Sequence, residues 1–200
     1  MYRRKDVFYS RAKNAGYRSR AAFKLLQLAE RGRLLHPGDH VVDLGAWPGG
    51  WLQVAAQLVG PSGKVVGVDL QPIEPLPQRN VVTLVGDIGN EATQHNVARA
   101  CQGRVDVILS DLAPKLSGIR ARDEARAQAL AEVALAFAEK LLRPGGTLVV
   151  KLFMSEDLPQ YVNQLHLRFG DVRTSRLEAS RKGSAEVYVV ARGFRCTTAC

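Results

Sequence analysis

Only three cysteines, Cys101, Cys196 and Cys200, occur in 200 residues, and no two of them form a C-x-x-C pair. The four histidines, His36, His40, His95 and His166, lie well apart. Neither a disulfide framework nor a zinc site is expected from such a set. No run of about 18 apolar residues exists, so nothing in the sequence reads as a membrane span. The basic N-terminus lacks the apolar centre of a secretory signal, and with Asp6 as its only acid a mitochondrial-type presequence stays open as the lesser alternative. A cytoplasmic location is the simplest expectation. No internal repeat, low-complexity tract or linker is visible, and 46% hydrophobic residues in 200 suffice for one core. One domain over residues 1–200 is expected, acting as a monomer, with 195–200 as a loose tail.

What the chain has in excess is positive charge, unevenly placed. The formal net charge is +9, yet residues 1 to 20 alone hold Arg3, Arg4, Lys5, Arg11, Lys13, Arg18 and Arg20 against a single acid. A basic arm of net +6 leaves only +3 for the other 180 residues. Tyr2, Phe8, Tyr9 and Tyr17 are interleaved with these cations. Cations displace the counterions condensed on nucleic acid, and aromatic faces accept unpaired bases, so the arm reads as an RNA-binding element. Arg173, Arg176, Arg181 and Lys182 form a second basic cluster that could extend the same surface.

Short β-branched runs alternate with longer helical patterns in the order of a mostly parallel sheet covered on both faces. Strands are predicted near residues 40–45, 64–69, 81–86, 104–110, 146–152, 171–177 and 185–192, and helices near 18–31, 49–59, 91–101, 120–142 and 157–168. Pro144-Gly145-Gly146 is expected to close the long Ala-rich helix and launch the next strand. The fold class that follows is α/β, a Rossmann-like seven-stranded sheet with helices on both faces.

Ligands of such sheets lie across the carboxyl ends of the strands. Here the first strand leads into Asp43-Leu44-Gly45-Ala46-Trp47-Pro48-Gly49-Gly50-Trp51. Gly45 allows a sharp exit, and Gly49 and Gly50 are expected to clear space for a ligand against the backbone. The spacing G-x-x-x-G-G differs from the G-x-G-x-x-G of dinucleotide enzymes. S-adenosylmethionine, which has no pyrophosphate, fits it better. Asp69, 24 residues after Gly45, is placed to accept from both ribose hydroxyls, and Asp87 from the adenine amino group. The duller reading of Asp87 is a cap for the helix near Asn90. A nicotinamide oxidoreductase shares this geometry, and fold alone leaves that rival open.

The residues then become more specific. Arg18-Ser19-Arg20-Ala21-Ala22-Phe23-Lys24-Leu25, the Asp43–Trp51 turn, Ser110-Asp111-Leu112-Ala113-Pro114, Val149-Val150-Lys151-Leu152-Phe153 and Ser184-Ala185-Glu186-Val187-Tyr188 span nearly the whole chain. Together they resemble the bacterial FtsJ/RlmE-type ribosomal RNA 2'-O-ribose methyltransferases. The resemblance implies a class I S-adenosylmethionine-dependent fold. It carries the family's catalytic tetrad onto Lys24, Asp111, Lys151 and Glu186, with Lys151 as base, and its cofactor contacts onto Gly49, Trp51, Asp69, Asp87 and Asp111. It further implies a uridine of 23S ribosomal RNA, within the 50S subunit, as the target. Relatives that methylate tRNA, and a non-catalytic ribosome-assembly factor, are the alternatives. One departure is Trp47, where many relatives carry alanine.

The chemistry is consistent with such a set. A ribose hydroxyl is a poor nucleophile while it keeps its proton, whereas a sulfonium methyl is already a good electrophile, so a base is what must be supplied. A free lysine, with a pKa near about 10.4, needs desolvation or a neighbouring cation such as Lys24 to act as one. Two plain ion pairs, Lys24 with Glu186 and Lys151 with Asp111, are the non-catalytic reading of the same four charges. Base N-methylation would call for an N/D-P-P-Y/F loop where Ser110–Pro114 stands, and pyrimidine C-methylation for a strand-end cysteine.

Overall fold

The computed structural model describes residues 7–114, 117–180 and 184–196. Arg3, Arg4, Lys5, Arg181 and Lys182 of the expected RNA surface, and Cys200, lie outside the described residues. The elements run α1 (Val7–Asn14), α2 (Ala22–Gly32), β1 (His40–Leu44), α3 (Gly50–Val59), β2 (Lys64–Asp69), β3 (Val81–Val85), α4 (Glu91–Cys101), β4 (Val105–Ser110), α5 (Arg120–Leu141), β5 (Leu142–Phe153), α6 (Leu158–Arg168), β6 (Phe169–Ser175) and β7 (Glu186–Phe194). One seven-stranded sheet orders them β3-β2-β1-β4-β5-β7-β6. β7 alone runs against its two neighbours, β5 and β6. The expected fold class is the observed one.

Strands buried on both faces read as continuous apolar runs, and Val41-Val42-Asp43-Leu44 and Val65-Val66-Gly67-Val68 do so. One face packs α4, α5 and α6 against a core that includes Val97, Phe137, Leu148 and Tyr161. The opposite face packs α2 and α3 through Leu25, Leu28, Trp51, Leu52 and Tyr188. The fifty or so largely apolar side chains removed from water supply the main driving force for folding.

Two expectations need correction. Within the basic arm, residues 7–14 form α1, whose Ala12 is buried and whose Phe8 ring lies 5.8 Å from Phe23. Tyr17 meets the same Phe23 edge-on at 5.9 Å, and the Arg11 guanidinium sits 4.9 Å over that ring. Phe8 and Tyr17, read as base-stacking groups, therefore anchor the arm to α2, while Tyr9 is exposed. The long helix also stops at Leu141, and β5 starts at once. Pro144-Gly145-Gly146 lies inside that strand, because Leu142 already pairs with Val105 and its carbonyl accepts from Arg104. The register shifts between Val105 and Val107, where the extra residues are accommodated and Gly145 takes φ +81°.

Candidate active site

Parallel strands bring the carboxyl ends of β1, β2, β4 and β5 to one edge of the sheet. Antiparallel β7 begins there, with Glu186 opposite Phe153 and Tyr188 opposite Lys151. Cross-strand partners share a face, as do residues two apart, so Lys151, Tyr188 and Glu186 all point toward α2. The first turn of α2 presents Lys24 to them. Four residues from three elements are thereby gathered, and Asp111, just past β4, joins them.

They form two ion pairs joined by a tyrosine. Lys24 Nζ lies 3.0 Å from Glu186 Oε2, and Lys151 Nζ lies 3.0 Å from Asp111 Oδ1. Lys151 also donates to the Asp111 carbonyl at 2.7 Å. Both lysines are buried, with side chains 9% and 5% exposed. The Tyr188 hydroxyl donates to Asp111 Oδ1 at 2.6 Å, and its ring lies 5.5 Å from Lys24 Nζ. Burial, first, and then the charge and hydrogen bond of Asp111 push the Tyr188 phenol well above its ordinary range, so it remains a donor. Burial would also raise Glu186, but the Lys24 charge and hydrogen bond, followed by Lys151, hold its carboxyl below the usual range. The ion pairing weighed as the non-catalytic alternative is thus present, in one cluster. β5 continues two residues past Lys151, which sits inside the strand and not at its end.

The turn after β1 hangs from β2: the Gly45 and Ala46 amides donate to the Val68 carbonyl at 2.9 and 3.2 Å. Asp69 steadies the same turn by accepting from the Trp47 amide (2.9 Å) and from Gln71 (2.9 Å). Gly45 has φ +80°, and a Cβ there would meet Leu112 Cδ2 at 2.8 Å. The reason for Gly50 differs from the expected one. A Cβ there would strike Ser19 Oγ at 2.3 Å, so the glycine admits the segment before α2. Gly49, at φ +107°, leaves room in the same way for Arg18. The Trp51 indole N–H donates to the Ala21 carbonyl at 2.7 Å, and its ring packs 5.9 Å from Tyr188. Its side chain is committed to the core, leaving the backbone as the part that faces the turn. Trp47 is 51% exposed. Asp87 Oδ1 accepts from Gly89 at 2.8 Å, and the helix cap is Asn90, which accepts from Ala92.

Two residues of the RNA surface act as clasps. The Arg18 guanidinium donates to the carbonyls of Pro48 (3.3 Å), Glu74 (2.5 Å) and Pro75 (2.6 Å), and Arg20 donates to that of Ala179 (2.7 Å). The first ties the arm to the turn after β1 and the second to the loop before β7. Lys13 is exposed on α1.

Sequence reading assigned no role to Asp43 or Tyr188. Asp43 is 1% exposed, and among the described residues neither of its carboxylate oxygens has a hydrogen-bond partner. Burial, then repulsion from Asp111 and Asp69, hold its carboxyl well above the ordinary range. A charge inside a valine-rich strand was the signal: burying one without a partner is costly unless a ligand meets it. Three mutually repelling carboxylates at the ends of β1, β2 and β4 suit a cationic ligand. Cys101, by contrast, is buried in α4 with its thiol pushed up to about 11 by burial, away from any nucleophilic role at a strand end.

Comparison with known proteins follows the same line. A family model described as FtsJ-like methyltransferase matches residues 17–194. A ribosomal RNA large subunit methyltransferase E from Alkalilimnicola ehrlichii is 50% identical over 190 residues, covering 94% of this chain and 90% of that protein. Its counterpart from Methanoculleus marisnigri is 47% identical over 193 residues, covering 96% and 93%. Among solved structures, a ribosomal RNA methyltransferase from Plasmodium falciparum superposes with TM-score 0.80 at 28% identity, over 89% of this chain and 98% of that one. Fibrillarin from Aeropyrum pernix, crystallised with S-adenosyl-L-methionine, shares the fold (TM-score 0.58, 20% identity, 85% and 75% covered). The motifs from Arg18 to Tyr188 thus mark common descent as well as shared geometry, and the chain belongs to the FtsJ-like methyltransferase family.

Proposed function

We propose that this protein moves a methyl group from S-adenosylmethionine to the ribose 2'-hydroxyl of a uridine in 23S ribosomal RNA, acting on the 50S subunit. The observation that carries the reading is the seating of Lys151. A neutral amine has two N–H donors and one lone pair. Residue 111 accepts two donations from Nζ, through its carboxylate and its carbonyl. Once Lys151 has given up its proton, the direction not used by these two hydrogen bonds is its lone pair, which can take a proton from a ribose hydroxyl. Tyr188 steadies Asp111, and Glu186 holds Lys24 beside the same cluster, where its charge can engage the target nucleotide.

When bound, the cofactor supplies an electrophilic methyl group and a net positive charge. Asp43 would meet its ammonium, and the two carboxylate lone pairs of Asp69 not used by Trp47 and Gln71 would meet the ribose hydroxyls. Asp87 would accept from the adenine amine, and the backbone from Gly45 through Gly49, Gly50 and Trp51 would line the turn. Arg11 and Lys13, with Arg3, Arg4, Lys5, Arg181 and Lys182, would contribute charge toward RNA phosphates.

Incubation with labelled cofactor and, separately, 50S particles, free ribosomal RNA and tRNA tests the reading. Label is expected in the 50S arm, in a dinucleotide resistant to alkaline cleavage, because a methylated 2'-oxygen cannot attack its own phosphodiester. Label in tRNA alone would reassign the substrate. Tight cofactor binding with no label in any arm would favour an assembly factor. Tyr188→Phe is expected to lower kcat roughly 10- to 100-fold, since it removes one hydrogen bond to an ionised carboxylate, with little change in KM for the cofactor. A matching loss in cofactor affinity would show Tyr188 to be a prop of the pocket instead.

A further inference from the structure

We infer that the cleft between the end of α2 and the β6–β7 edge is a second RNA contact, holding the sugar-phosphate backbone of the strand that carries the modified ribose. It rests on the reading above that the substrate is RNA.

A cavity of about 590 Å³ lies there, lined by Arg31 and Arg33 at the end of α2, Arg173 and Ser175 on β6 and Arg192 on β7. These four guanidinium groups face two carboxylates, Glu30 and Asp171. Asp171 is shared, 3.0 Å from Arg173 and 3.6 Å from Arg192. Arg31 donates to Ser175 Oγ (3.1 Å) and the Arg176 carbonyl (2.9 Å) and stands 3.9 Å from Glu178. A guanidinium carries five donors, so each of these arginines keeps some to spare.

Arg33 is the most telling of the set. Among the described residues its side chain has neither a hydrogen bond nor an ion pair. Its backbone is left-handed, φ 47° and ψ 55°, at the position that ends α2. Glycine is the usual residue at such a helix end, and any side chain there is strained. An arginine in that conformation, with no hydrogen bond or ion pair among the described residues, has its donors available to a ligand.

The groove is also placed to meet the same strand as the tetrad. Ser175 pairs with Tyr188, which pairs with Lys151, so its upper end is level with the base. Along α2, Lys24 and Arg31 are seven residues apart, about 10 Å at helical rise. A stretch of that length is long enough to meet more than one phosphate of a nucleic-acid strand. Cations strung out in this way suit a polyanion better than an isolated anion.

The test measures 23S ribosomal RNA binding by anisotropy across a salt series, together with melting temperature and steady-state methyl transfer. Arg33→Gly relieves the backbone strain, so it should melt at or above the wild-type temperature while binding RNA roughly three- to tenfold more weakly, with a salt slope smaller by about one. The double change Arg33→Glu with Arg173→Glu should raise KM for RNA further and leave kcat and cofactor affinity near wild type. Arg99→Glu, on α4 across the sheet, serves as the control and should change RNA affinity less than about twofold. Unchanged affinity and slope in the double variant would overturn the groove, as would an equal loss in Arg99→Glu. If wild type methylates no RNA while the double variant still loses binding, the groove stands and the methyl-transfer reading falls.

Discussion

Lys151→Ala is expected to lower kcat by about 10³-fold or more while cofactor affinity stays within about threefold, because a positioned general base contributes about 10²- to 10⁴-fold. The fold should tolerate the loss. Asp111 keeps the Tyr188 hydroxyl at 2.6 Å, and its side chain is 19% exposed, so water can replace the ammonium. Lys151→Arg separates two explanations. Arginine preserves the positive charge and the pairing with Asp111 but does not give up a proton near neutral pH. If residue 151 works as a base, the arginine variant will be as inactive as the alanine one. If it works only by its charge, much of the rate will return. A rate within about tenfold of wild type in Lys151→Ala would remove this residue from the base role.

Asp43→Asn should move stability and binding in opposite directions. The folded protein holds the Asp43 carboxyl well above its ordinary range, through burial first and repulsion from Asp111 and Asp69 second. A group whose folded pKa is raised binds its proton more tightly in the native than in the unfolded chain. Its contribution to stability is therefore greatest in acid, declines as pH rises from about 4 toward the folded value, and is gone above it. The asparagine variant lacks that slope. Without cofactor at pH 7 to 8 it should melt higher than wild type, by roughly 2 to 10 °C if about 1–3 kcal/mol of buried-charge cost is relieved. The gap should narrow as the pH is lowered. Cofactor affinity should fall roughly 10- to 100-fold, the value of a charge-assisted hydrogen bond. Equal cofactor affinity by calorimetry would separate Asp43 from the pocket.

The first strands were legible because Val41-Val42, Val65-Val66 and Val81-Val82-Thr83 are short β-branched runs with glycine or proline close by. What escaped depends on contacts distant in sequence. Residues 7–14 carry four charged or strongly polar side chains and little amphipathic pattern, and they are helical because Phe8, Arg11 and Tyr17 converge on Phe23. Pro144-Gly145 is a helix terminator by composition, yet the pairing of Leu142 with Val105 starts the strand before it. The four tetrad residues could be named from motifs, but their pairing through Tyr188 needed the antiparallel register of β7. Arg18 and Arg20 looked like RNA ligands because charge is visible in sequence, whereas the carbonyls of Glu74, Pro75 and Ala179 that receive them are not.

The two tryptophans differ in surroundings: Trp51 lies sealed against Tyr188, whereas half of Trp47 meets solvent above Asp69. The protein consequently carries two chromophores of different character. Emission from the outer indole is open to aqueous quenchers and lies beside the turn proposed to hold the cofactor, while the inner one changes only when the core comes apart, so a single fluorescence titration can distinguish occupancy from denaturation.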